Sequence, residues 1–276
     1  MIIVTGASGQ LGQEIKKLAS SSDYKFVDRS IVDFENVDSV KTFFDNQKIK
    51  AVIHAAAYTN VEQAEVDKDI ARKINVTSTG IIAEMAKKHK YKMTYISTDF
   101  VFDGKKSVAY TESDSTNPLN SYGLTKRDGE LAIESMGCDH AIIRTSWVYS
   151  TFGNNFVKKI IKLSETQKNL KVIQDQIGSL TYASDLADAI LKSGDLHGMY
   201  HFSNEGTCSW YDVACEIKRA LKLDIEIAPV LSSEFATKAI RPHFSLLSKK
   251  KIKDDLKITI PHWADSLHGT IANIKN

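Results

Sequence analysis

The sequence predicts an α/β fold in which helices cover both faces of a doubly wound parallel sheet, with a smaller lobe at the C-terminal end. Short apolar runs alternate with amphipathic stretches of helical period over the first half of the chain. The apolar runs lack polar alternation, as expected for strands that are buried on both faces. A glycine-rich turn follows the first run. Together these observations favour repeated β-α units.

The predicted elements follow one another along the chain. The predicted strands are residues 1–5, 25–28, 51–57, 93–97 and 141–146, and the helical stretches between them are 13–19, 37–47, 64–88 and 121–135. Beyond residue 146 the alternation loosens, and candidate helices lie near 153–164, 183–193 and 209–221. We therefore expect one compact unit that continues into the smaller lobe.

Composition narrows the classes of function. The 276 residues are 42% hydrophobic and 25% charged, as in an ordinary globular protein. The formal net charge is +2, and the one basic run, residues 249–253, is followed at once by two aspartates, which favours a solvated face over nucleic-acid binding. The three cysteines form no C-x-x-C pair, which favours a reducing, cytoplasmic setting. No apolar run approaches the roughly 18 residues of a membrane helix, and the first residues resemble a strand and not a signal peptide, so we expect neither a membrane partner nor export.

The turn after the first strand, TGASGQLG, places glycines at positions 6, 9 and 12. Glycine permits a tight turn, close approach of the backbone to a pyrophosphate and close packing of helix on strand, while the helix N-terminus offers free N–H groups. An accidental glycine-rich turn is the alternative. The strand before it and the helix after it favour a Rossmann-type, dinucleotide-binding turn. We therefore expect an NAD(P)-binding Rossmann core in residues 1–150, with a later return near 170–195, and a mainly substrate-binding lobe in residues 151–276.

The ends of the second and third strands carry further cofactor candidates. Asp28 is typical of NAD binding because its carboxylate can accept hydrogen bonds from a ribose, while Arg29 can pair with the 2′-phosphate of NADP. Asp33 could bind the adenine amino group. The small residues 55–57 would let the backbone pass close under a cofactor, although tight helix–sheet packing explains them equally. His54 is more typical of a core histidine than of a ligand.

Tyr122 and Lys126 are candidates for proton transfer. Their i, i+4 spacing places both on one face of a helix, one turn apart. Such a pair also arises by chance in a chain with 10 tyrosines; its position after the strand that ends at Thr98 gives it weight. A nearby ammonium favours the phenolate, so we expect Lys126 to lower the pKa of Tyr122. Thr98 could then hold the carbonyl oxygen that Tyr122 protonates.

Several motifs together resemble one family. These are AAAYTNVEQAE, KINVTSTG, YISTDFVFDG, NPLNSYGLTKRDGE, IIRTSWVY, GNNF, DQIGSLTYASDLA, WYDVACEI and RPHFSLL. They resemble the dTDP-4-dehydrorhamnose reductases, which belong to the extended short-chain dehydrogenase/reductases, over residues 1–265. The resemblance implies hydride transfer from NADPH, with NADH usable, to C4 of dTDP-4-dehydro-6-deoxy-L-mannose, giving dTDP-L-rhamnose with a tyrosine as proton donor.

The resemblance also implies the residues of the site. The implied catalytic residues are Thr98, Tyr122 and Lys126. The expected cofactor-binding residues are Gly6, Ser8, Gly9, Gln10, Leu11, Gly12, Asp28, Arg29, Asp33, Phe34, Ala55, Ala56, Ala57, Tyr58, Asn75, Tyr122 and Lys126. The expected substrate-binding residues are Thr59, Val61, Thr98, Asp99, Phe100, Trp147, Asn154, Asn155 and Arg241. The alternatives are purely structural roles: a core tryptophan for Trp147, a helix cap for the two asparagines and a surface ion pair for Arg241.

Phe100 separates this chain from the related nucleotide-sugar 4,6-dehydratases, which carry Thr-Asp-Glu at this strand end. A phenylalanine cannot take the proton from C5, so a simple reductase is favoured. A reductase of another nucleotide-linked 4-keto sugar and a non-catalytic NAD(P)-binding regulatory subunit are the alternatives. Some family members form a dimer bridged by magnesium through glutamates. Glu14 matches one such position while Ser184 occupies another, so we expect no essential metal, with Glu14 the single candidate ligand, in a monomer or homodimer.

Overall fold

The computed structural model of the chain describes residues 1–19 and 22–275. Its strands are β1 Ile2–Thr5, β2 Tyr24–Val27, β3 Ala51–His54, β4 Lys92–Thr98, β5 His140–Thr145, β6 Val148–Tyr149, β7 Asn169–Ile173, β8 Ile177–Gly178, β9 Thr181–Tyr182, β10 Gly198–Phe202, β11 Cys208–Ser209 and β12 Glu226–Val230. Its helices are α1 Gln10–Leu18, α2 Val37–Asp45, α3 Val61–Ala64, α4 Lys68–Arg72, α5 Thr79–His89, α6 Ser121–Met136, α7 Phe156–Ser164, α8 Ala183–Lys192, α9 Trp210–Leu221, α10 Lys250–Leu256 and α11 Trp263–Lys275.

Six parallel strands form the central sheet in the order β10-β5-β4-β3-β1-β2. The register pairs Thr5 with His54 and Thr98 with Thr145, so the carboxyl ends of neighbouring strands lie side by side. The chain order reverses between β1 and β3, which is the arrangement that opens a ligand crevice at this edge. The predicted doubly wound, Rossmann-type fold is confirmed.

Helices cover both faces of the sheet. One face packs under α2 and α5 in a cluster that includes Phe44, Ile82 and Met93, and the other packs under α1 and α8 in a cluster that includes Ile15 and Leu186. Helix α8 packs on the central sheet and β10 is its sixth strand. The second half of the chain therefore returns to the main sheet through residues 183–202. Among the described helices none is long and apolar enough to cross a membrane.

The smaller lobe has a core of its own. Helices α7, α9 and α11 pack together with the parallel pair β7–β12 around Val157, Val213 and Leu267, which are fully buried. The amphipathic pattern of α7 and α9 explains this packing, since each helix buries one stripe. The candidate helices near 153–164, 183–193 and 209–221 correspond to α7, α8 and α9.

The long helical stretch predicted over 64–88 is broken in the structure. It divides into the end of α3, α4, a π-helical turn at Lys73–Ser78 and α5. Asn75 lies in the π turn, where its side chain accepts the N–H of Tyr58 at 2.8 Å and donates to Thr125 Oγ1 at 3.0 Å. A π turn inserts one residue into a helix, often near a functional site. Hydrophobic periodicity alone does not reveal this insertion.

Helix α6 begins and ends at clear sequence signals. The Asn120 side chain caps it by accepting the N–H of Gly123 at 2.8 Å, and Gly137 ends it with a left-handed φ of 62°. Gly129 lets the middle of α6 approach the π turn, because a Cβ there would lie 2.4 Å from the carbonyl oxygen of Asn75.

We expect Gly129→Ala to lower the free energy of unfolding by about 1–3 kcal/mol, because the added methyl overpacks the contact between α6 and the π turn. Urea denaturation measures the change. Gly194→Ala is the matched control, since a Cβ at Gly194 would meet no atom within 4 Å, and its effect should stay within about 0.5 kcal/mol. Equal stability of the two variants would contradict this packing argument.

Candidate active site

A cleft of about 640 Å³ opens at the carboxyl ends of the parallel strands. It is lined by most of the residues predicted from sequence: Gly6, Ser8, Gly9, Gln10, Leu11, Gly12, Asp28, Arg29, Asp33, Phe34, Ala55, Ala56, Ala57, Thr59, Val61, Thr98, Asp99, Phe100, Tyr122, Lys126, Trp147, Asn154 and Arg241. The structure therefore brings the cofactor and substrate candidates into one continuous space. Tyr58, Asn75 and Asn155 do not line it.

The glycine-rich turn has a geometry that only small residues permit. Gly6 has a left-handed φ of 70°, and a Cβ there would lie 2.8 Å from the backbone of Ala55. A Cβ at Gly12 would lie 2.3 Å from the carbonyl oxygen of Gly6. Helix α1 starts without a side-chain cap, so the N–H groups of its first turn are available to an anionic ligand. These features fit the pyrophosphate of a dinucleotide.

The acidic and basic cofactor candidates follow β2, the strand that pairs with β1. Asp28 Oδ1 accepts hydrogen bonds from the N–H and the hydroxyl of Ser30 at 3.0 and 2.6 Å, and these bonds lower the pKa of the Asp28 carboxyl. Arg29 beside it is exposed. Asp33 Oδ1 accepts the N–H of Glu35 at 2.9 Å. An anionic Asp28 and an exposed guanidinium thus lie side by side, the first suited to a ribose and the second to a 2′-phosphate.

Thr98 and Tyr122 meet at the end of β4. The Thr98 hydroxyl donates to Asp99 Oδ1 at 3.1 Å and accepts the N–H of Phe100 at 3.2 Å. The Tyr122 ring is half-buried and lies edge-on to the Phe100 ring, with ring centroids 5.8 Å apart. Burial raises the pKa of Tyr122 to about 12, and the neighbouring Thr98 hydroxyl opposes this rise. Tyr122 therefore holds its proton at neutral pH.

Lys126 is buried behind this pair. Its Nζ donates to the carbonyl oxygen of Ile96 at 2.7 Å and lies 3.9 Å from the centroid of the Tyr95 ring. Burial lowers the pKa of Lys126 to about 7, partly offset by the charge of Glu130. The expectation that Lys126 lowers the pKa of Tyr122 is not met in this structure. Burial dominates the titration of both groups, and a lysine with a pKa near 7 is a weak source of positive charge.

A buried hydrogen-bond network, which was not predicted from the sequence, lies one helical turn from Lys126. Glu130 lies one helical turn after Lys126 on α6, and its carboxylate accepts two bonds from the Arg144 guanidinium, at 2.9 and 2.7 Å, and one from the Ser97 hydroxyl. Each of these three residues is less than 5% exposed. The i, i+4 spacing from Lys126 is the signal that could have identified Glu130.

Two tryptophans form another wall of the cleft. Trp147 has a left-handed φ of 48°, which is rare for a bulky residue, and its ring stacks on Trp210 with centroids 3.8 Å apart. Gly178 makes room for it, because a Cβ there would lie 3.1 Å from the Trp147 ring. Trp210 lines the cleft but was not among the predicted residues. Its tertiary position follows from the packing of α9, which sequence periodicity does not specify.

The remaining substrate candidates differ in their surroundings. Asn154 is exposed at the cleft, while Asn155 caps α7 by accepting the N–H of Lys158 at 3.0 Å, as in the alternative interpretation. Arg241 lines the cleft and forms an ion pair with Glu62 at 2.6 Å. Asn155 therefore serves local structure, and Arg241 combines an ion pair with a position facing the cleft.

Two of the cofactor candidates and His54 lie behind the cleft. Asn75 is fully buried and fixes the backbone of Tyr58, so both residues support the wall from outside. The Tyr58 hydroxyl donates to Asp67 at 2.7 Å. His54 is fully buried between Thr5 and Thr79, and burial lowers its pKa to about 3. It is a neutral core histidine.

Glu14 does not fit a magnesium site. Magnesium takes hard oxygen ligands in near-octahedral geometry and usually keeps several waters. Glu14 is fully buried, and one of its carboxylate oxygens accepts the Ser150 hydroxyl at 2.6 Å. Over residues 1–19 and 22–275 there is no group of three or more His, Cys, Asp or Glu side chains that could hold a metal ion.

A Rossmann-type sheet with this combination of glycine turn, threonine, tyrosine and lysine is typical of the short-chain dehydrogenase/reductase class of oxidoreductases. A family model described as the RmlD substrate binding domain matches residues 1–276, and the chain belongs to this family. The resemblance to the dTDP-4-dehydrorhamnose reductases and the oxidoreductase class expected from sequence are thereby confirmed.

Known proteins similar to the chain cover nearly all of it. The spore coat polysaccharide biosynthesis protein SpsK of Bacillus subtilis is 38% identical over 269 residues, covering 96% of this chain and 95% of that protein. The dTDP-4-dehydrorhamnose reductase of Aggregatibacter actinomycetemcomitans is 35% identical over 283 residues, covering 96% of each. A crystal structure of the Bacillus anthracis dTDP-4-dehydrorhamnose reductase in complex with NADP is 34% identical, covers 98% of each chain and has a TM-score of 0.94.

Asp99 generates a prediction about stability. Burial raises the pKa of this carboxyl from 3.8 to about 7, so the folded state holds the proton more tightly than the unfolded state. Stability is therefore lost as the pH rises from about 4 to about 7. We expect Asp99→Asn to be more stable than the unchanged protein at pH 8, by about 2 kcal/mol or more, and by less at pH 5. Urea denaturation at both pH values measures this, and a difference independent of pH would contradict it.

Proposed function

We propose that the chain reduces the C4 ketone of dTDP-4-dehydro-6-deoxy-L-mannose to give dTDP-L-rhamnose, with NADPH as hydride donor. The observation that carries the proposal is the convergence of Thr98, Tyr122 and Lys126 with the glycine-rich turn in one cleft, in a chain that belongs to this reductase family. Phe100 occupies the strand end where a dehydratase needs a carboxylate, which favours reduction without elimination.

The residues of the chain orient the ketone and supply the proton. A bound reduced nicotinamide would supply hydride to C4. The Tyr122 hydroxyl would then donate its proton to the C4 oxygen, which leaves a tyrosinate. With its pKa near 12, Tyr122 carries the proton until negative charge develops on the oxygen. Thr98 aligns that oxygen by hydrogen bonding, and Lys126 in its cationic form stabilises the tyrosinate and binds the nicotinamide ribose.

The two ends of the cleft suggest how the ligands divide between the parts of the chain. Residues 1–150, with the later return, would hold the dinucleotide, and residues 151–276 would mainly hold the nucleotide sugar. The positions of Asn154 and Arg241 in the cleft support this division. Trp147 offers an apolar surface to the sugar, while Arg241 suits a pyrophosphate or nucleotide.

The alternatives differ in substrate or in catalysis. A reductase of another nucleotide-linked 4-keto sugar would use the same residues, and turnover measured across a panel of such sugars separates the two. A non-catalytic NAD(P)-binding regulatory subunit has no need of a tyrosine poised to donate a proton. Tight cofactor binding without oxidation of NAD(P)H by any 4-keto sugar would favour that alternative.

We propose that catalysis requires no metal and that the chain works as a monomer or a homodimer in the cytoplasm. The buried position of Glu14, with its hydrogen bond from Ser150, supports the first point. Turnover that a chelator abolishes and magnesium restores would contradict it.

Tyr122→Phe tests the assignment of the proton donor. The variant keeps the ring against Phe100 but removes the hydroxyl, so we expect kcat to fall by about 10²–10⁴-fold while cofactor affinity stays nearly unchanged. Lys126→Ala should weaken cofactor binding as well as turnover, and Thr98→Val should slow turnover less than Tyr122→Phe.

Steady-state kinetics and cofactor titration measure these effects. Tyr24→Phe is the control, because Tyr24 lies in β2 outside the cleft. Near-normal reduction by Tyr122→Phe would show that another group donates the proton.

The cofactor preference tests the roles of Asp28 and Arg29. We expect kcat/KM to favour NADPH over NADH, because the exposed Arg29 can pair with the 2′-phosphate. Arg29→Ala should raise the KM for NADPH and leave that for NADH nearly unchanged. A strong preference for NADH in the unchanged protein would assign the dominant role to Asp28.

A further inference from the structure

The proposed mechanism does not use Glu14, although this carboxylate is fully buried on α1, the helix that follows the glycine-rich turn. One of its oxygens, Oε1, accepts the Ser150 hydroxyl at 2.6 Å. The other, Oε2, is buried and has no hydrogen-bond partner in the part of the chain that the structure describes. A carboxylate is rarely buried unless it is paired. The burial of Glu14 with one oxygen unpaired therefore points to a specific role for the bond to Ser150.

The same face of α1 contacts the loop formed by residues 150–155 at a second point. Gln10, one turn before Glu14, accepts the Asn155 side-chain amide at 2.9 Å. Its Cγ also lies 3.1 Å from the position of a Cβ at Gly153, which has a left-handed φ of 63°. Residues at i and i+4 lie one above the other on a helix. Gln10 and Glu14 therefore hold the two ends of the 150–155 loop.

Hydrogen bonds within the loop connect the anchored Ser150 to the segment that carries Asn154. The Ser150 hydroxyl that donates to Glu14 also accepts the N–H of Phe152 at 3.0 Å, and the Ser150 carbonyl accepts the Asn155 side-chain amide at 2.8 Å. Asn154 between them lines the cleft. The position of Asn154 thus depends on α1, the helix that follows the glycine-rich turn.

We propose that Glu14 is a positioning residue, which anchors the 150–155 loop through Ser150 so that the loop binds the nucleotide sugar, and that it is not a metal ligand. The identity of the loop's ligand rests on the proposed function. Glu14 itself touches neither substrate nor cofactor, so its effect is on the affinity of the site for the nucleotide sugar and not on hydride transfer.

Glu14→Met and Glu14→Gln separate anchoring from metal binding. Methionine fills the buried space but cannot accept the Ser150 bond, whereas glutamine keeps an acceptor of the same shape and removes the charge that a metal needs. Calorimetry would measure the binding of dTDP, in EDTA with NADP⁺ present, and the binding of NADP⁺ alone. Amide hydrogen exchange would report the order of residues 150–155. Ser150→Ala removes the same bond from the other side, and Glu84→Met changes an exposed glutamate on α5 as the control.

We expect Glu14→Met and Ser150→Ala to raise the dTDP dissociation constant about tenfold, the effect of losing one hydrogen bond, and to speed exchange in the loop. NADP⁺ affinity should stay within about twofold, and Glu14→Gln and Glu84→Met should resemble the unchanged protein. Equal impairment of the Gln and Met variants, with chelator-sensitive binding in the unchanged protein, would identify a metal ligand instead. A lower melting temperature, with dTDP affinity and amide hydrogen exchange of the loop unchanged, would show that Glu14 has only a structural role and would contradict the proposal.

The proposed function can fail separately. A chain that binds dTDP and responds to Glu14→Met, but reduces no dTDP-linked 4-keto sugar, would retain the anchoring role and lose the proposed reaction. If the unchanged protein did not bind dTDP, the proposed substrate would be wrong, and hydrogen exchange in the loop would still decide whether Glu14 anchors it.

Discussion

The buried ion pair between Glu130 and Arg144 joins the three elements on which the candidate active site depends. Glu130 lies on α6, Arg144 on β5, and the Ser97 hydroxyl at the end of β4 bonds to the same carboxylate. A buried pair is stable only when its polar atoms are satisfied, and here the Glu130 carboxylate accepts bonds from both neighbours. Helix α6 therefore cannot shift along the sheet without breaking this network. The relative positions of Thr98, Tyr122 and Lys126 follow from it.

Close backbone contacts reinforce this arrangement on either side of the ion pair. A Cβ at Gly123 would lie 2.1 Å from the carbonyl oxygen of Phe100, and one at Gly129 would lie 2.4 Å from that of Asn75. Glycines at these two positions let α6 press against the end of β4 and against the π turn. Asn75 in the π turn bonds both to the backbone of Tyr58 and to the Thr125 hydroxyl on α6. Helix α6 therefore positions the catalytic residues and also the segment behind the cofactor-binding side of the cleft.

The sequence predicts the elements that repeat and misses those that depend on tertiary contact. The five strands of the first half are apolar runs, and each appears within a few residues of its predicted position. The sixth strand, Gly198–Phe202, follows a loosened pattern and was not predicted, and the two-residue strands of the lobe are too short for any period. The pair Tyr122 and Lys126 is visible as an i, i+4 spacing, whereas the stack of Trp147 on Trp210 joins residues 63 apart.

Removal from water explains the charge states of Asp99, Lys126 and Tyr122 in the cleft. It raises the pKa of Asp99 to about 7, lowers that of Lys126 to about 7 and raises that of Tyr122 to about 12. All three shifts favour the neutral form of the group, so the fold alone does not hold Lys126 as a strong cation. A nearby anion favours the charged form of a lysine. We therefore expect a bound dinucleotide, with its phosphates, to raise the pKa of Lys126 and so create the positive charge that stabilises a tyrosinate. On this argument the helix sets the geometry of the proton donor, and the ligand completes its electrostatics.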